Sequence, residues 1–202
     1  MAATVKKKLL FSLLFAAVLM AALIPSYMRV YRVEGCSDAP SFLVGDRIFV
    51  FKAAYDLRLP YTGQVLWNRG DPRPGDVILY HPPGEEITVF KRVVAGPGDV
   101  IAMMENRLVI NGALLQYEKV DPEPYNEVAA TNRIGEVVEV ESGHGTRRLI
   151  TYSPGVDSIA SFEAFEVPEG RYFVIGDNRD NSLDSRMYGP VSRQSILGRV
   201  AE

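Results

Sequence analysis

Lys91 is the residue whose sequence surroundings most suggest chemistry. It lies in the run 87–95, Ile-Thr-Val-Phe-Lys-Arg-Val-Val-Ala, where strand alternation places it on the same apolar face as Val89 and Val93. Desolvation of an ammonium group lowers the pKa of a lysine and favours the neutral amine, which is a general base. A lysine at a sheet edge, with its stem over the apolar face and its head in water, explains the same pattern, and the pattern alone favours this second interpretation.

Other kinds of catalytic site have little support in the sequence. The two histidines, His81 and His144, lie in loop sequences rich in Pro or Gly, so a Ser-His-Asp triad is not favoured. The single cysteine, Cys36, permits neither an internal disulfide nor a zinc site of the Cys/His type. The run 177–180 is not a calcium loop, because Arg179 occupies a ligand position and the required glycine is absent. We expect neither a metal nor a cofactor.

The composition is typical of one globular domain. The 202 residues are 47% hydrophobic and 23% charged, and 22 basic against 25 acidic side chains give a net charge of −3. This balance provides no basic field for a phosphate backbone, so nucleic acid is not an expected partner.

The N-terminal region predicts a membrane anchor. Three lysines at positions 6–8 precede an uncharged run from Leu9 to Met28, which matches the ~20 residues that a helix needs to cross the hydrocarbon core. A cleaved signal peptide is the competing interpretation, but Pro25 interrupts the place where the small residues of a cleavage site would lie. We predict a cytoplasmic tail over 1–8, a transmembrane anchor over 9–28 and an extracytoplasmic domain over 29–202, although two arginines just beyond the anchor weaken the charge bias that sets this orientation.

Turn signals followed by short apolar runs predict that this domain is mostly β. Such turns lead into residues 47–51, 77–80 and 100–103. Further strands are expected over 87–94, 107–110, 147–152, 171–175 and 196–200. Outside the anchor, no stretch has a sustained helical period. The more polar stretch 117–168 predicts an insertion or β-ribbon rather than part of the core.

Four short segments, read in chain order, are similar to the sequence boxes of type I signal peptidases. Residues 35–46, Gly-Cys-Ser-Asp-Ala-Pro-Ser-Phe-Leu-Val-Gly-Asp, resemble the nucleophile box, in which Ser-Met-x-Pro-Thr-Leu is followed by Gly-Asp. Residues 73–77 resemble the next box, 90–99 the lysine box and 176–186, almost letter for letter, the last one. Residues 55–60 resemble a segment that often lies between the first two. Together, and behind a membrane anchor, they identify the chain as similar to this family.

The resemblance implies a Ser/Lys site on an antiparallel β-sheet catalytic domain. Ser37 would be the nucleophile, Lys91 the general base, and Ser182 the hydroxyl that orients the lysine amine. Asp184 and Arg186 are expected to form a supporting ion pair. If the neutral amine of Lys91 is the general base, the rate should rise with pH on the alkaline side of neutrality.

Two positions depart from the family pattern. Asp38 stands where the family usually has Met, and a carboxylate beside the nucleophile could alter substrate preference or oppose formation of the oxyanion. Gly35 stands where some members carry a hydroxyl that helps to bind the oxyanion, whereas other members have Gly. A missing oxyanion donor is worth ~3 kcal/mol, and the backbone N–H of Ser37 remains as a donor.

The function implied by the resemblance is that of a membrane-anchored serine endopeptidase that removes signal peptides from exported preproteins. Such an enzyme is single-pass in a bacterial-type inner (plasma) membrane, and its partners are secretory preproteins and membrane lipid. Its substrates have small side chains at the first and third positions before the cut and bind as an added strand. Two alternatives stay open: a non-cleaving peptide-binding paralogue, suggested by Asp38 and Gly35, and a dedicated peptidase for a single exported partner.

Overall fold

The computed structural model of the chain describes residues 2–60, 62–156 and 159–201. Met1, the first residue of the predicted cytoplasmic tail, lies outside the described residues, as does Glu202. The helices within the described ranges are α1 (Ala2–Tyr27), α2 (Asn126–Asn132) and α3 (Ser185–Tyr188), with short 3-10 helices at Glu123–Tyr125 and Arg193–Ser195.

Strands make up most of the domain that follows α1. In chain order they are β1 (Met28–Arg32), β2 (Arg47–Phe51), β3 (Asp56–Arg58), β4 (Val65–Asn68), β5 (Val77–Tyr80), β6 (Val89–Ala95), β7 (Val100–Met104), β8 (Arg107–Ile110), β9 (Ala113–Leu114), β10 (Gln116–Val120), β11 (Val137–Gly143), β12 (Thr146–Tyr152), β13 (Phe162–Glu166), β14 (Arg171–Ile175), β15 (Val191–Ser192) and β16 (Ile196–Val200). The prediction of a mostly β domain is confirmed.

The predicted strands are present with boundaries that shift by no more than two residues. The turn signals in the sequence explain this agreement. Gly75, before β5, and Gly98, before β7, have φ values of 97° and 81°, a conformation that glycine adopts without steric cost. Because a turn of this kind fixes where the next strand starts, the strand boundaries can be predicted from local sequence.

The strands form antiparallel sheets, of which the largest has the order β1-β2-β16-β5-β6-β14-β15. Smaller sheets have the orders β10-β11-β12, β13-β7-β8-β9 and β3-β4. Strand β6 pairs with β5 on one side and β14 on the other, so it is an inner strand. The edge-lysine interpretation of Lys91 is therefore wrong, since the residue lies in an inner strand and is only 3% exposed.

Both faces of this inner region are packed. Val93 and Val174 lie in one hydrophobic cluster with residues of β5, while Val94 and Phe173 lie in another with residues of β7 and β8. The second cluster shows that the four-stranded sheet covers one face of β6 and β14. The second half of β6 is therefore held by close packing on both faces.

The stretch 117–168 differs in part from its prediction. Its strands β10, β11 and β12 form a sheet of their own, whereas β13 pairs with β7. The expectation that the stretch lies outside the core is wrong, because Ile150, Glu141 and Arg148 are buried. The polar residues can be buried because they pair with each other: Arg148 and Arg179 both contact the carboxylate of Glu141.

Helix α1 begins within the predicted tail and ends at Tyr27, one residue before the predicted anchor boundary. Met28 is already part of β1, where it pairs with Phe51 of β2. Within the residues that the structure describes, no helix combines the length and the apolarity needed to span a membrane.

Candidate active site

The structure brings Ser37 and Lys91 into direct contact. Ser37 lies in the loop between β1 and β2, and Lys91 projects from β6. The Nζ atom of Lys91 donates a hydrogen bond of 2.5 Å to the Oγ atom of Ser37. The hydroxyl is partly buried and the lysine almost completely so, which gives a nucleophile and a basic side chain the geometry of a dyad.

Asp38 is the third member of this contact. Lys91 Nζ also donates to Asp38 Oδ2 at 2.8 Å and to the carbonyl oxygen of Phe90 at 2.7 Å. The ammonium form of a lysine has three N–H groups, one for each of these three oxygens. The hydroxyl of Ser37 in turn donates to Asp38 Oδ2 at 2.6 Å.

The environment of Asp38 makes ionisation of its carboxyl group less favourable than in water. The residue is 3% exposed, and burial raises the pKa of its carboxyl group. The adjacent Lys91 ammonium offsets this effect only in part, while the negative charge of Asp177 adds to it. The sequence identified Asp38 as a departure from the family pattern, but its contact with the lysine could not be predicted.

Asn178, in the loop after β14, holds the segment of Cys36 and Ser37 in place. Its backbone N–H donates to the carbonyl oxygen of Ser37 at 3.0 Å. Its side-chain amide donates to the carbonyl oxygens of Cys36 at 3.2 Å and of Asn132 and Arg133 in and after α2. The sequence placed Asn178 only within the last box and did not predict this role, for which that place was the available signal.

Ser182 has a less direct place in the site than the resemblance implies. Its Oγ atom is buried and has no hydrogen-bond partner within the described ranges. The hydrogen bonds of Lys91 go to Ser37, Asp38 and Phe90 instead. Ser182 packs against Gly176, where an added Cβ atom would lie 2.2 Å from the serine Oγ.

Asp184 and Arg186 form a buried ion pair with Nε–Oδ1 and Nη2–Oδ2 distances of 2.8 and 2.9 Å. Asp184 also accepts from the backbone N–H of Gly176 at 3.0 Å and caps the N-terminus of α3. Burial by itself would raise the pKa of Asp184, but the hydrogen bonds from Arg186 hold it below its usual value. This pair fixes the chain on which Ser182 lies.

A second buried ion pair lies behind the lysine. Arg92, the next residue on β6, donates two hydrogen bonds to Asp177, with distances of 3.1 and 2.9 Å. Burial by itself would raise the pKa of Asp177, but the charge of Arg92 lowers it below the usual value. The pair links β6 to the loop after β14, which carries Asn178.

Three further residues considered in the sequence lie outside this cluster of contacts. Gly35 is exposed, and an added Cβ atom would contact nothing within 4 Å. His81 contacts the carbonyl oxygen of Ile87, and His144 contacts Asp99 at 3.3 Å.

A groove of about 390 Å³ opens beside the dyad. It is lined on one side by β1 and the chain that follows it, and on the other by β6 and the residue before it. Ser37, Asp38 and Lys91 all face it. An extended peptide placed in this groove would pass the serine hydroxyl.

Comparison with known proteins supports the same family. Residues 6–202 match the family described as "Signal peptidase, peptidase S26". A signal peptidase I of Pseudomonas aeruginosa is 35% identical over 176 residues, which cover 85% of this chain and 60% of the relative. Signal peptidase I of Bacillus licheniformis is 31% identical, covering 90% of this chain and 80% of the relative, and that of Aquifex aeolicus is 31% identical, covering 93% and 80%.

The extent of the matches differs among these relatives. The chain spans 60% of the length of the Pseudomonas aeruginosa protein but 80% of the Bacillus licheniformis and Aquifex aeolicus proteins. The family match itself extends over nearly the whole sequence and includes the loop with Ser37, the strand with Lys91 and the segment with Ser182. The chain therefore belongs to the signal peptidase family, peptidase S26.

Proposed function

We propose that this protein is a membrane-anchored serine endopeptidase that removes signal peptides from exported preproteins by means of a Ser37/Lys91 dyad. The observation that carries the proposal is the 2.5 Å contact between Lys91 Nζ and Ser37 Oγ in a chain of the signal peptidase family. A buried lysine in contact with a hydroxyl is the arrangement that this kind of nucleophilic catalysis needs.

The reaction would proceed through an acyl-enzyme. Lys91, as the neutral amine, takes the proton of the Ser37 hydroxyl, and Oγ attacks the scissile carbonyl carbon. The resulting ammonium gives its proton to the leaving amine as the C–N bond breaks, which leaves an ester on Ser37. Lys91 then takes a proton from water, which attacks the ester and releases the second product. The backbone N–H of Ser37 supports the oxyanion.

Ser182, Asp184 and Arg186 would support the dyad. Asp184, held by Arg186, fixes the backbone of Gly176. Gly176 in turn lies between Ser182 and the carbonyl group of Ser37 and is in close contact with both. In this proposal, the hydroxyl of Ser182 approaches the lysine amine when substrate fills the groove. Gly35, which has no side chain, leaves the oxyanion side of the nucleophile open.

The substrate would lie in the groove as an extended strand. Its main chain would pair with exposed strand edges at the groove, and small side chains before the cut would fit against the dyad. The family supports this substrate class, because the matched relatives carry the name signal peptidase I.

The anchor and the location of the enzyme are part of the same proposal. The uncharged run from Leu9 to Met28 would cross a bacterial-type inner membrane once, with the N-terminus in the cytoplasm and the catalytic domain outside. This arrangement would keep the site at the membrane surface, where preproteins emerge.

Cleavage of a generic preprotein by the full-length chain in detergent tests the proposal. We expect the wild type to release the signal peptide, Ser37→Ala to be inactive, and the matched neighbour variant Cys36→Ala to keep most of the activity. If thiol alkylation inhibits the wild type and Cys36→Ala is also inactive, the assignment of the nucleophile to Ser37 is wrong. Binding without cleavage would favour the peptide-binding paralogue, and cleavage of one exported partner alone would favour the dedicated peptidase.

A further inference from the structure

Asp38 contacts both members of the dyad through one oxygen atom. Its Oδ2 accepts from Ser37 Oγ at 2.6 Å and from Lys91 Nζ at 2.8 Å, and the side chains of Asp38 and Lys91 are each 4% exposed. We propose that Asp38 is a third catalytic residue, which takes up a proton from the Ser37/Lys91 pair while the serine attacks. This inference rests on the proposed function and concerns how the base becomes available.

The hydrogen bonds of the site define the problem that Asp38 solves. Three oxygens surround Lys91 Nζ at hydrogen-bond distance, and an ammonium that donates to all three has no lone pair with which to accept the proton of Ser37. A lysine with no carboxylate beside it becomes a base only by losing a proton to solvent. In this site, the ammonium can transfer that proton to Asp38 over 2.8 Å.

The proton transfers balance within the site. The N–H bond of Lys91 that points to Asp38 breaks and an O–H bond forms on Oδ2, so that the ion pair becomes a neutral acid and a neutral amine. The amine then takes the proton of Ser37, and the electron pair left on Oγ forms the bond to the scissile carbonyl carbon. At this point Asp38 is a neutral acid and Lys91 is again an ammonium.

Breakdown of the tetrahedral intermediate restores the resting state. Lys91 gives a proton to the leaving nitrogen as the C–N bond breaks, and Asp38 returns its proton to Lys91. The products are an ester on Ser37, a free amine and the original ion pair. Hydrolysis of the ester repeats the sequence with water in place of the serine hydroxyl, so no further reactant is needed.

The other groups around Asp38 raise the pKa of its carboxyl group, which makes the uptake of a proton easier. Asp177, after β14, carries a negative charge that acts against ionisation of Asp38, and burial acts in the same direction. Tyr80 of β5 and Tyr188 of α3 also face this region and hydrogen-bond to each other. Burial raises the pKa of Tyr188 to about 12 and also raises that of Tyr80, so both stay uncharged. Lys91 is then the cation that directly contacts Asp38.

A site that works in this way has a distinctive pH profile. The active form is the ion pair, and its proton count does not change up to formation of the alkoxide. The value of kcat/KM should therefore be level from neutral pH into the alkaline range and should fall at acid pH, where protonation of Asp38 removes the acceptor for the proton. This differs from the rising alkaline profile that a lysine alone predicts.

The test is the pH dependence of kcat/KM between pH 5 and 10 for the full-length wild type, Asp38→Asn and Asp38→Met. Asn preserves the volume of the side chain, and Met is the residue that the family usually has. In both variants Lys91 must lose its proton to solvent before it can act as a base. We therefore expect the rise in kcat/KM to move to higher pH by roughly two units or more. At pH 7 the variants should lose at least about tenfold in kcat/KM, and alkaline pH should restore this loss.

Each other outcome has a definite meaning. A wild-type rate that climbs tenfold per pH unit through the alkaline range overturns the role of Asp38, and this measurement needs no variant. Variants whose pH profiles do not move also overturn the role of Asp38. Profiles that move to lower pH overturn it as well, because Asp38 then only holds Lys91 in its inactive form. If instead the wild type cleaves no preprotein, or Lys91→Arg retains turnover, the proposed function itself has failed.

Discussion

Gly176 lies so close to the loop of Ser37 that a Cβ atom at this position would be 2.4 Å from the carbonyl oxygen of Ser37. Real Cβ atoms do not approach a backbone oxygen this closely, so the two chains can meet only where residue 176 is a glycine. The same Cβ atom would also collide with Ser182. The distance between the loop of Ser37 and the segment after β14 is therefore set by the absence of one methyl group.

The first prediction concerns this close approach. Gly176→Ala should lower preprotein cleavage by at least about tenfold, because a shift of about 1 Å at a reacting atom costs much of the benefit of orientation. Initial rates of cleavage and the melting temperature measure the effect. Gly35→Ala is the matched control for the melting temperature, since Gly35 is exposed and its Cβ atom would meet nothing within 4 Å. Cleavage by Gly176→Ala at the wild-type rate would contradict the role given to Gly176.

The second prediction separates the base from its supporting hydroxyl. Lys91→Arg should be inactive, because a guanidinium stays charged and cannot take a proton from Ser37. Ser182→Ala should be slowed less severely, since the nucleophile and the base remain. It should also keep its melting temperature, because the hydroxyl it removes is buried and has no partner among the described residues. Wild-type turnover by Lys91→Arg would exclude the dyad.

The third prediction concerns stability at acid pH. The buried carboxylates Asp177, Asp184 and Glu141 have pKa values below their usual ones, because nearby arginines outweigh the effect of burial. Such groups bind protons more weakly in the folded state than in the unfolded state, so they stabilise the fold above about pH 4 and this stabilisation is lost as the pH falls through their folded pKa values. The melting temperature should stay level from pH 7 to about 5 and fall below about pH 4.

A variant checks the cause of this acid loss. Asp177→Asn should already be destabilised at pH 7, by about 3–5 kcal/mol, because it removes the carboxylate of a buried ion pair. Its further loss on acidification should be smaller than that of the wild type. The raised pKa of Asp38 acts in the opposite direction, so a melting temperature that increased between pH 6 and 4 would show that this residue dominates and that the prediction is wrong.

The fourth prediction concerns the N-terminal segment. If residues 9–28 are an anchor, the protein should remain in the membrane fraction during carbonate extraction, and N-terminal sequencing should find a start at or near Met1. A start near Tyr27 would show instead that the segment is a removed signal peptide. Release by carbonate without any loss of sequence would contradict both interpretations.

The sequence alone determined the strands and the order of the boxes. Turn residues and short apolar runs act locally, so the boundaries of strands such as β2 and β5 follow from neighbouring residues. The likeness of the segments around Ser37, Lys91 and residues 176–186 to signal peptidases also needs no coordinates, because a motif is a property of consecutive residues.

Only the tertiary structure decided how these residues meet. Local alternation favoured a lysine at a sheet edge, but the pairing of β6 with both β5 and β14 buries Lys91, and strand pairing depends on residues far apart in the chain. The contact of Asp38 with Lys91 joins residues 53 positions apart. Whether the carboxylate opposes or assists the nucleophile depends on burial and on the charges around it, and these arise only when the loop after β14 packs against the loop between β1 and β2.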